Sequence, residues 1–113
     1  MTVTIYHNPR CSKSRETLKL LESKGVTPTV VEYLKAPPSQ AEIKRILAKL
    51  DLPAKDIIRP KEAKEAGVDL TSGSQAALIK AIATHPAILQ RPIVVTDKKA
   101  AIGRPPEAVL DIL

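Results

Sequence analysis

Cysteine occurs once in these 113 residues, tryptophan and phenylalanine are absent, and the only aromatics are Tyr6 and Tyr33. A lone thiol, Cys11, cannot close an internal disulfide or run a dithiol cycle by itself, which fits a reducing compartment. Any oxidised state of Cys11 must then be resolved from outside. One cysteine and two distant histidines, His7 and His85, offer too few neighbouring ligands for a zinc site, so no metal is expected. Two aromatics offer little for bases to stack on, and Lys and Arg are scattered among acids. The net charge of +6 therefore suits a small anionic substrate at least as well as nucleic acid, which is not an expected partner. No apolar run approaches the ~20 residues that cross a bilayer. Met1-Thr2-Val3 leads into the first strand without the basic and apolar stretches of a signal peptide, so a cytoplasmic location and no membrane partner are expected.

What is present reads as one domain, 1–113, with a single core and a monomer as the default state. Val3, Ile5 and Tyr6 form a short strand, Asn8-Pro9 is a turn signal, and Glu16 to Lys24 carries Leu18, Leu20 and Leu21 at helical spacing before Gly25. Thr29-Val30-Val31-Glu32-Tyr33-Leu34 reads as a second strand between Pro28 and Pro37-Pro38, which makes a parallel βαβ unit. Ser39-Gln40-Ala41-Glu42 has capping-box form and opens a helix with Ile43, Ile46, Leu47 and Leu50 on one face, ending near Asp51 to Pro53. Residues 54–67 predict short helical pieces meeting at Arg59-Pro60. Ser72-Gly73-Ser74-Gln75 starts another helix, with Leu78, Ile79 and Ile82 inward, that His85-Pro86 stops. Ile93-Val94-Val95-Thr96, a turn at Asp97-Lys98-Lys99 and Ala100-Ala101-Ile102 predict a terminal hairpin, and Gly103-Arg104-Pro105-Pro106 enters a last helix ending at Leu113. The whole is an α/β fold: a four-stranded mixed sheet flanked by helices, with a helical insertion between the βαβ unit and the hairpin.

The only cysteine falls where the first strand breaks into the first helix. Free N–H groups and the positive dipole end favour a thiolate there, so Cys11 is expected to be a nucleophile. A buried structural cysteine is the competing reading. Ser14 stands where a dithiol motif would carry its second Cys, which excludes the dithiol mechanism and leaves a monothiol one. A cysteine-type phosphatase loop would need Arg at position 17, which is Thr17, while Arg15 comes too early. His7 could hold the thiolate as a nearby imidazolium or could organise the loop, and both readings stay open. His85, at a helix end, suits a structural role. Arg59, Arg91 and Arg104 each sit at a break next to proline. Converging on a thiolate they would make an oxyanion pocket, since guanidinium forks suit tetrahedral oxyanions. Solvated surface arginines are the alternative.

His7-Asn8-Pro9-Arg10-Cys11-Ser12-Lys13-Ser14-Arg15 resembles the opening of the glutaredoxin-linked arsenate reductases, an ArsC-like family of thioredoxin-like fold. Tyr33-Leu34 with Pro37-Pro38, His85-Pro86 with Arg91-Pro92-Ile93-Val94-Val95, and Gly103-Arg104-Pro105-Pro106-Glu107 extend the resemblance nearly end to end. It implies that Cys11 attacks the arsenic of arsenate while Arg59, Arg91 and Arg104 bind the oxyanion. It implies that His7 supports the active-site loop, with Asn8, Ser14, Arg15 and Pro92 as further loop support, and leaves open whether Pro92 is cis as in thioredoxin-like folds. It further implies glutathione as co-substrate, glutaredoxin as partner and no bound cofactor. Two other functions stand beside arsenate reduction: a non-enzymatic thiol-based transcription regulator of the same fold, and a reductase of another glutathione or thiol adduct.

Overall fold

The computed structural model describes residues 2–71 and 73–113. Met1, in the stretch expected to lead into the first strand, and Ser72, in the expected start of the penultimate helix, lie outside the described residues. Two compact units are present: the chain up to Ala36 together with Arg91–Leu113, and Pro37–Gln90.

The first unit holds strands β1 (Thr4–His7), β2 (Thr29–Glu32), β3 (Ile93–Val95) and β4 (Ala100–Ile102), helix α1 (Ser12–Ser23) and a closing 3₁₀ helix, Pro106–Ile112. The strand order is β2-β1-β3-β4. β1 and β2 run parallel, whereas β1–β3 and β3–β4 are antiparallel. With its flanking helices this is the mixed sheet of a thioredoxin-like fold, as the sequence implies. Val3, Ile5, Leu21, Val94 and Val109 form a buried cluster, with Leu18, Leu20, Val26, Ala101 and Ile112 packed against it. Alternation along β1 sends Ile5 toward this cluster, and the helical spacing of Thr17 and Leu21 turns the inner face of α1 inward.

Three boundaries differ from the sequence expectation. Helix α1 starts at Ser12, earlier than the apolar pattern, because its first turn is polar and is held by the backbone: Arg15 N–H donates to Cys11 C=O at 3.0 Å. Strand β2 ends at Glu32 although Tyr33 and Leu34 favour strand. The Glu32 carbonyl accepts from Lys35 and Ala36, both at 2.9 Å, and that turn takes it out of the ladder. The last helix is 3₁₀, with Ala108 N–H donating to Pro105 C=O at 3.0 Å. A short segment opening on prolines lacks the donors for a long α-ladder. The β3–β4 turn forms as expected, Thr96 N–H donating to Lys99 C=O at 2.8 Å.

The second unit contains α2 (Gln40–Leu50), a 3₁₀ turn Ala54–Ile57, α3 (Pro60–Glu65), α4 (Gln75–Thr84) and a 3₁₀ turn Pro86–Ile88. Ser39 caps α2 by accepting from Glu42 N–H at 3.1 Å, and Ser74 caps α4 by accepting from Ala77 N–H at 3.2 Å. These oxygens satisfy donors that a helix start leaves open. α2 and α4 pack together, burying Ile43, Ile46 and Leu47 on one and Leu78, Ile79 and Ile82 on the other. A bridge between Ile58 and Leu89, with Arg59 N–H donating to Ile88 C=O at 2.7 Å, ties the start of α3 to the end of the unit.

Candidate active site

The loop between β1 and α1 is built from backbone donors that its side chains satisfy. Cys11 N–H donates to Asn8 C=O at 3.0 Å, and Arg10 N–H donates to Asn8 Oδ1 at 3.0 Å. Arg15 returns from α1 to donate from Nη1 to Pro9 C=O at 3.0 Å. Ser14 is wholly buried. Its Oγ accepts from Asn8 N–H at 3.0 Å and lies 2.5 Å from His7 Nδ1. Burial of His7 lowers its pKa, opposed by Glu32, which raises it, and aided by Arg15, which lowers it. The lowered pKa favours the neutral imidazole, which faces Ser14.

Cys11 occupies the N-cap of α1 with extended backbone, φ −90° and ψ 124°. Burial pushes its thiol pKa up, but the Ser14 N–H, the Arg91 side chain, the Lys13 N–H and the Arg104 charge together outweigh it, and the net shift is downward. The sulfur makes no capping hydrogen bond of ordinary geometry, yet these amides still favour its negative form. Arg104 Nη2 lies 3.6 Å from Cys11 Sγ.

The sheet brings the arginines there. His7 pairs with Glu32, Tyr6 with Ile93, and Ile93 with Ile102. Continuing the β1–β3 and β3–β4 registers past the strand ends puts Asn8, Arg91 and Arg104 in one row. Two hydrogen bonds agree with that extension: Gly103 N–H donates to Pro92 C=O at 2.9 Å, and Arg104 Nε donates to Arg91 C=O at 2.8 Å. The second fixes the Arg104 guanidinium with one edge on backbone and the other toward the sulfur. The peptide bonds Arg91–Pro92 and Arg104–Pro105 are both cis, the first as thioredoxin-like folds suggest and the second without any sequence signal.

Close packing behind the row depends on Gly103. A Cβ there would stand 2.6 Å from Thr17 Oγ1 and 2.7 Å from Pro92 Cγ, closer than such atoms approach. Thr17 is itself wholly buried on the inner face of α1.

Of the residues singled out in sequence, the structure gathers His7, Asn8, Cys11, Ser14, Arg15, Arg91, Pro92 and Arg104 within the first unit. Arg59 belongs to the second, where it is the N-cap of α3 and its guanidinium pairs with Glu62. Two residues beside the site, Gly103 and Tyr33, carry the resemblance but no site role in the sequence reading, where Gly103 is a helix entry and Tyr33 a strand residue. Tyr33 is fully buried, and Arg91 and Asn8 are its polar neighbours. The available signal was its place at the carboxyl end of a parallel strand, where α/β sheets carry their sites. Among the described residues no group of three His, Cys, Asp or Glu side chains could hold a metal, and no helix is long and apolar enough to cross a membrane.

Comparison with known proteins agrees with this architecture. A model of the ArsC family matches residues 6–112. The chain is 49% identical over 116 residues to an arsenate reductase of Haemophilus influenzae, covering 100% of both chains. It is 50% identical to the Escherichia coli protein YfgD, described as uncharacterized, over 98% of this chain and 96% of that one. The solved arsenate reductase of Vibrio cholerae superposes with a TM-score of 0.94 at 48% identity, covering 100% of this chain and 98% of that one.

Proposed function

From the premise that this chain belongs to the ArsC family, we propose that it is an arsenate reductase in which the Cys11 thiolate is the nucleophile. The observation that carries the reading is the sulfur at the α1 N-cap with Arg104 Nη2 at 3.6 Å and Arg91 beside it. Such a group both activates a thiol and receives a tetrahedral oxyanion.

In the reaction proposed, Cys11 Sγ attacks arsenic and forms an S–As bond, and an arsenate hydroxyl leaves as water after taking a proton. Arg91 and Arg104 neutralise the oxygens while charge builds on them. A glutathione thiolate then displaces a second hydroxyl, placing two sulfurs on arsenic. Coupling of those sulfurs breaks both As–S bonds, forms one S–S bond and leaves two electrons on arsenic, which departs as As(III). Cys11 remains as a mixed disulfide with glutathione. Its reduction by glutaredoxin restores the thiol, a route that suits a chain with no second cysteine. His7, Asn8, Ser14, Arg15 and Pro92 are assigned to holding the loop. Arg59 is assigned as a third substrate-binding arginine on the family resemblance alone, its guanidinium being paired with Glu62 in the structure.

The test is a single turnover without glutaredoxin, read by mass spectrometry. Arsenate and reduced glutathione together are expected to leave one glutathione on Cys11, and either reagent alone none. Glutathione addition independent of arsenate would remove arsenate from the reaction.

A further inference from the structure

The Tyr33 side chain has no exposed surface, and its hydroxyl has no hydrogen-bond partner of normal geometry in the structure. Buried hydroxyls are rarely left so, because desolvation without a partner is costly. Tyr33 directly follows the last residue of β2, and the Arg91 and Asn8 side chains are its polar neighbours. The Asn8 carbonyl oxygen Oδ1 accepts from Arg10 N–H. That oxygen keeps a second lone pair and the Asn8 amide NH₂ is a donor, whereas Arg91 offers only donors. On the Arg91 side the phenolic oxygen can therefore only accept, from the arginine that acts on the Cys11 sulfur.

We propose that Tyr33 is a positioning residue for Arg91, its hydroxyl oxygen accepting from the Arg91 guanidinium as an oxyanion enters and thereby directing the remaining Arg91 donors at the anion and at Cys11 Sγ. Hydrogen bonds at such sites are commonly long in the free protein and shorten when the ligand is in place. Burial raises the Tyr33 pKa, while the Arg91 charge and the Arg91 and Asn8 donors lower it and the Cys11 charge raises it, leaving a neutral phenol whose oxygen is available. The inference deepens the reading of Cys11 as an oxyanion-directed thiolate and rests on it.

The experiment compares Tyr33→Phe with wild type, each with and without Arg91→Ala, by the pH dependence of iodoacetamide alkylation and by the KM for arsenate. Because Cys11 is the only cysteine, alkylation reads that thiol alone. With Arg91 present, Tyr33→Phe is expected to move the alkylation profile to higher pH and to raise the arsenate KM about 10-fold, as for loss of a hydrogen bond to a charged group. In the Arg91→Ala background it is expected to change neither. A purely structural role would lower the melting temperature and leave the profile in place. An unmoved profile, or an equal shift in both backgrounds, overturns the assignment. Wild type without arsenate turnover would defeat the substrate reading, and the alkylation comparison would still decide the role of Tyr33.

Discussion

Arg104 Nη2 lies 3.6 Å from Cys11 Sγ, two residues separated by 93 positions in the chain. The approach is a product of sheet register: β4 pairs with β3, β3 with β1, and β1 runs directly into the loop that holds the cysteine. Arg104 Nε is anchored on Arg91 C=O at 2.8 Å, so the guanidinium stands ready at the sulfur before any substrate arrives. Preorganised charge of this kind stabilises a developing anion without reorganising during the reaction.

The first consequence is pH-dependent reactivity. The Cys11 pKa is lowered in the folded chain, so the native state releases the thiol proton at lower pH than the unfolded state does. Alkylation of native Cys11 is expected to rise at lower pH than alkylation of the urea-unfolded chain. By linkage, this group adds stability above the unfolded thiol pKa, and that stability is lost as pH falls through the folded one. Arg104→Ala should move the native inflection upward. Coincident native and unfolded inflections would mean that the surroundings do not activate the sulfur.

Removing either arginine of the row should cost catalysis more than binding of the fold. Loss of one oxyanion donor lowers kcat by ~10²–10³ in other enzymes, and Arg91→Ala and Arg104→Ala are each expected in that range in steady-state arsenate assays. Arg104→Lys should recover little, because a point charge cannot hold both the Arg91 carbonyl and the sulfur side as a fork does. Activity near wild type in Arg104→Ala would place that residue outside the reaction.

Ser14→Ala tests the brace beneath the loop. The change strands the buried Asn8 N–H and the His7 ring. Leaving such groups unsatisfied costs about 1–3 kcal/mol, measurable as a lower midpoint in urea. Ser14→Cys or Ser14→Thr would not serve, since each adds volume in a fully buried position. A stability change below about 0.5 kcal/mol, the usual range for surface sites, would show that the brace is dispensable.

Gly103→Ala should destabilise by ~1–3 kcal/mol, the usual cost of overpacking, since its Cβ would stand 2.6 Å from Thr17 Oγ1 and 2.7 Å from Pro92 Cγ. Because Arg104 follows directly, arsenate turnover should fall as well. Thr17→Ala is expected to relieve part of the clash in the double variant, and additive losses in denaturant titrations would contradict the packing account.

Local sequence pattern was enough to read the strand, loop and helix around Cys11. The only cysteine follows a β-run and precedes periodic leucines, and those signals lie within one stretch. The parallel βαβ unit and the terminal hairpin were legible for the same reason. The meeting of Arg91 and Arg104 at the sulfur was not, because it depends on pairing between strands far apart in sequence; the Arg-Pro corners flagged the residues, and the family resemblance supplied the convergence. Tyr33 was hidden by its own propensity. An aromatic after two valines and a glutamate looks like more strand, whereas the turn closed on the Glu32 carbonyl by Lys35 and Ala36 carries it out of the ladder. Gly103 was invisible as a packing site because its reason is the proximity of Thr17 and Pro92, which no local pattern encodes.

The most direct test of the central claim, that the Cys11 thiolate reduces arsenate, is NADPH consumption with arsenate, glutathione, glutaredoxin and glutathione reductase, comparing wild type with Cys11→Ser at equal concentration. Arsenate-dependent turnover in wild type, absent from a folded Cys11→Ser, is the predicted result. Turnover that survives in Cys11→Ser, or a folded wild type with a readily alkylated Cys11 and no arsenate-dependent turnover, would contradict it.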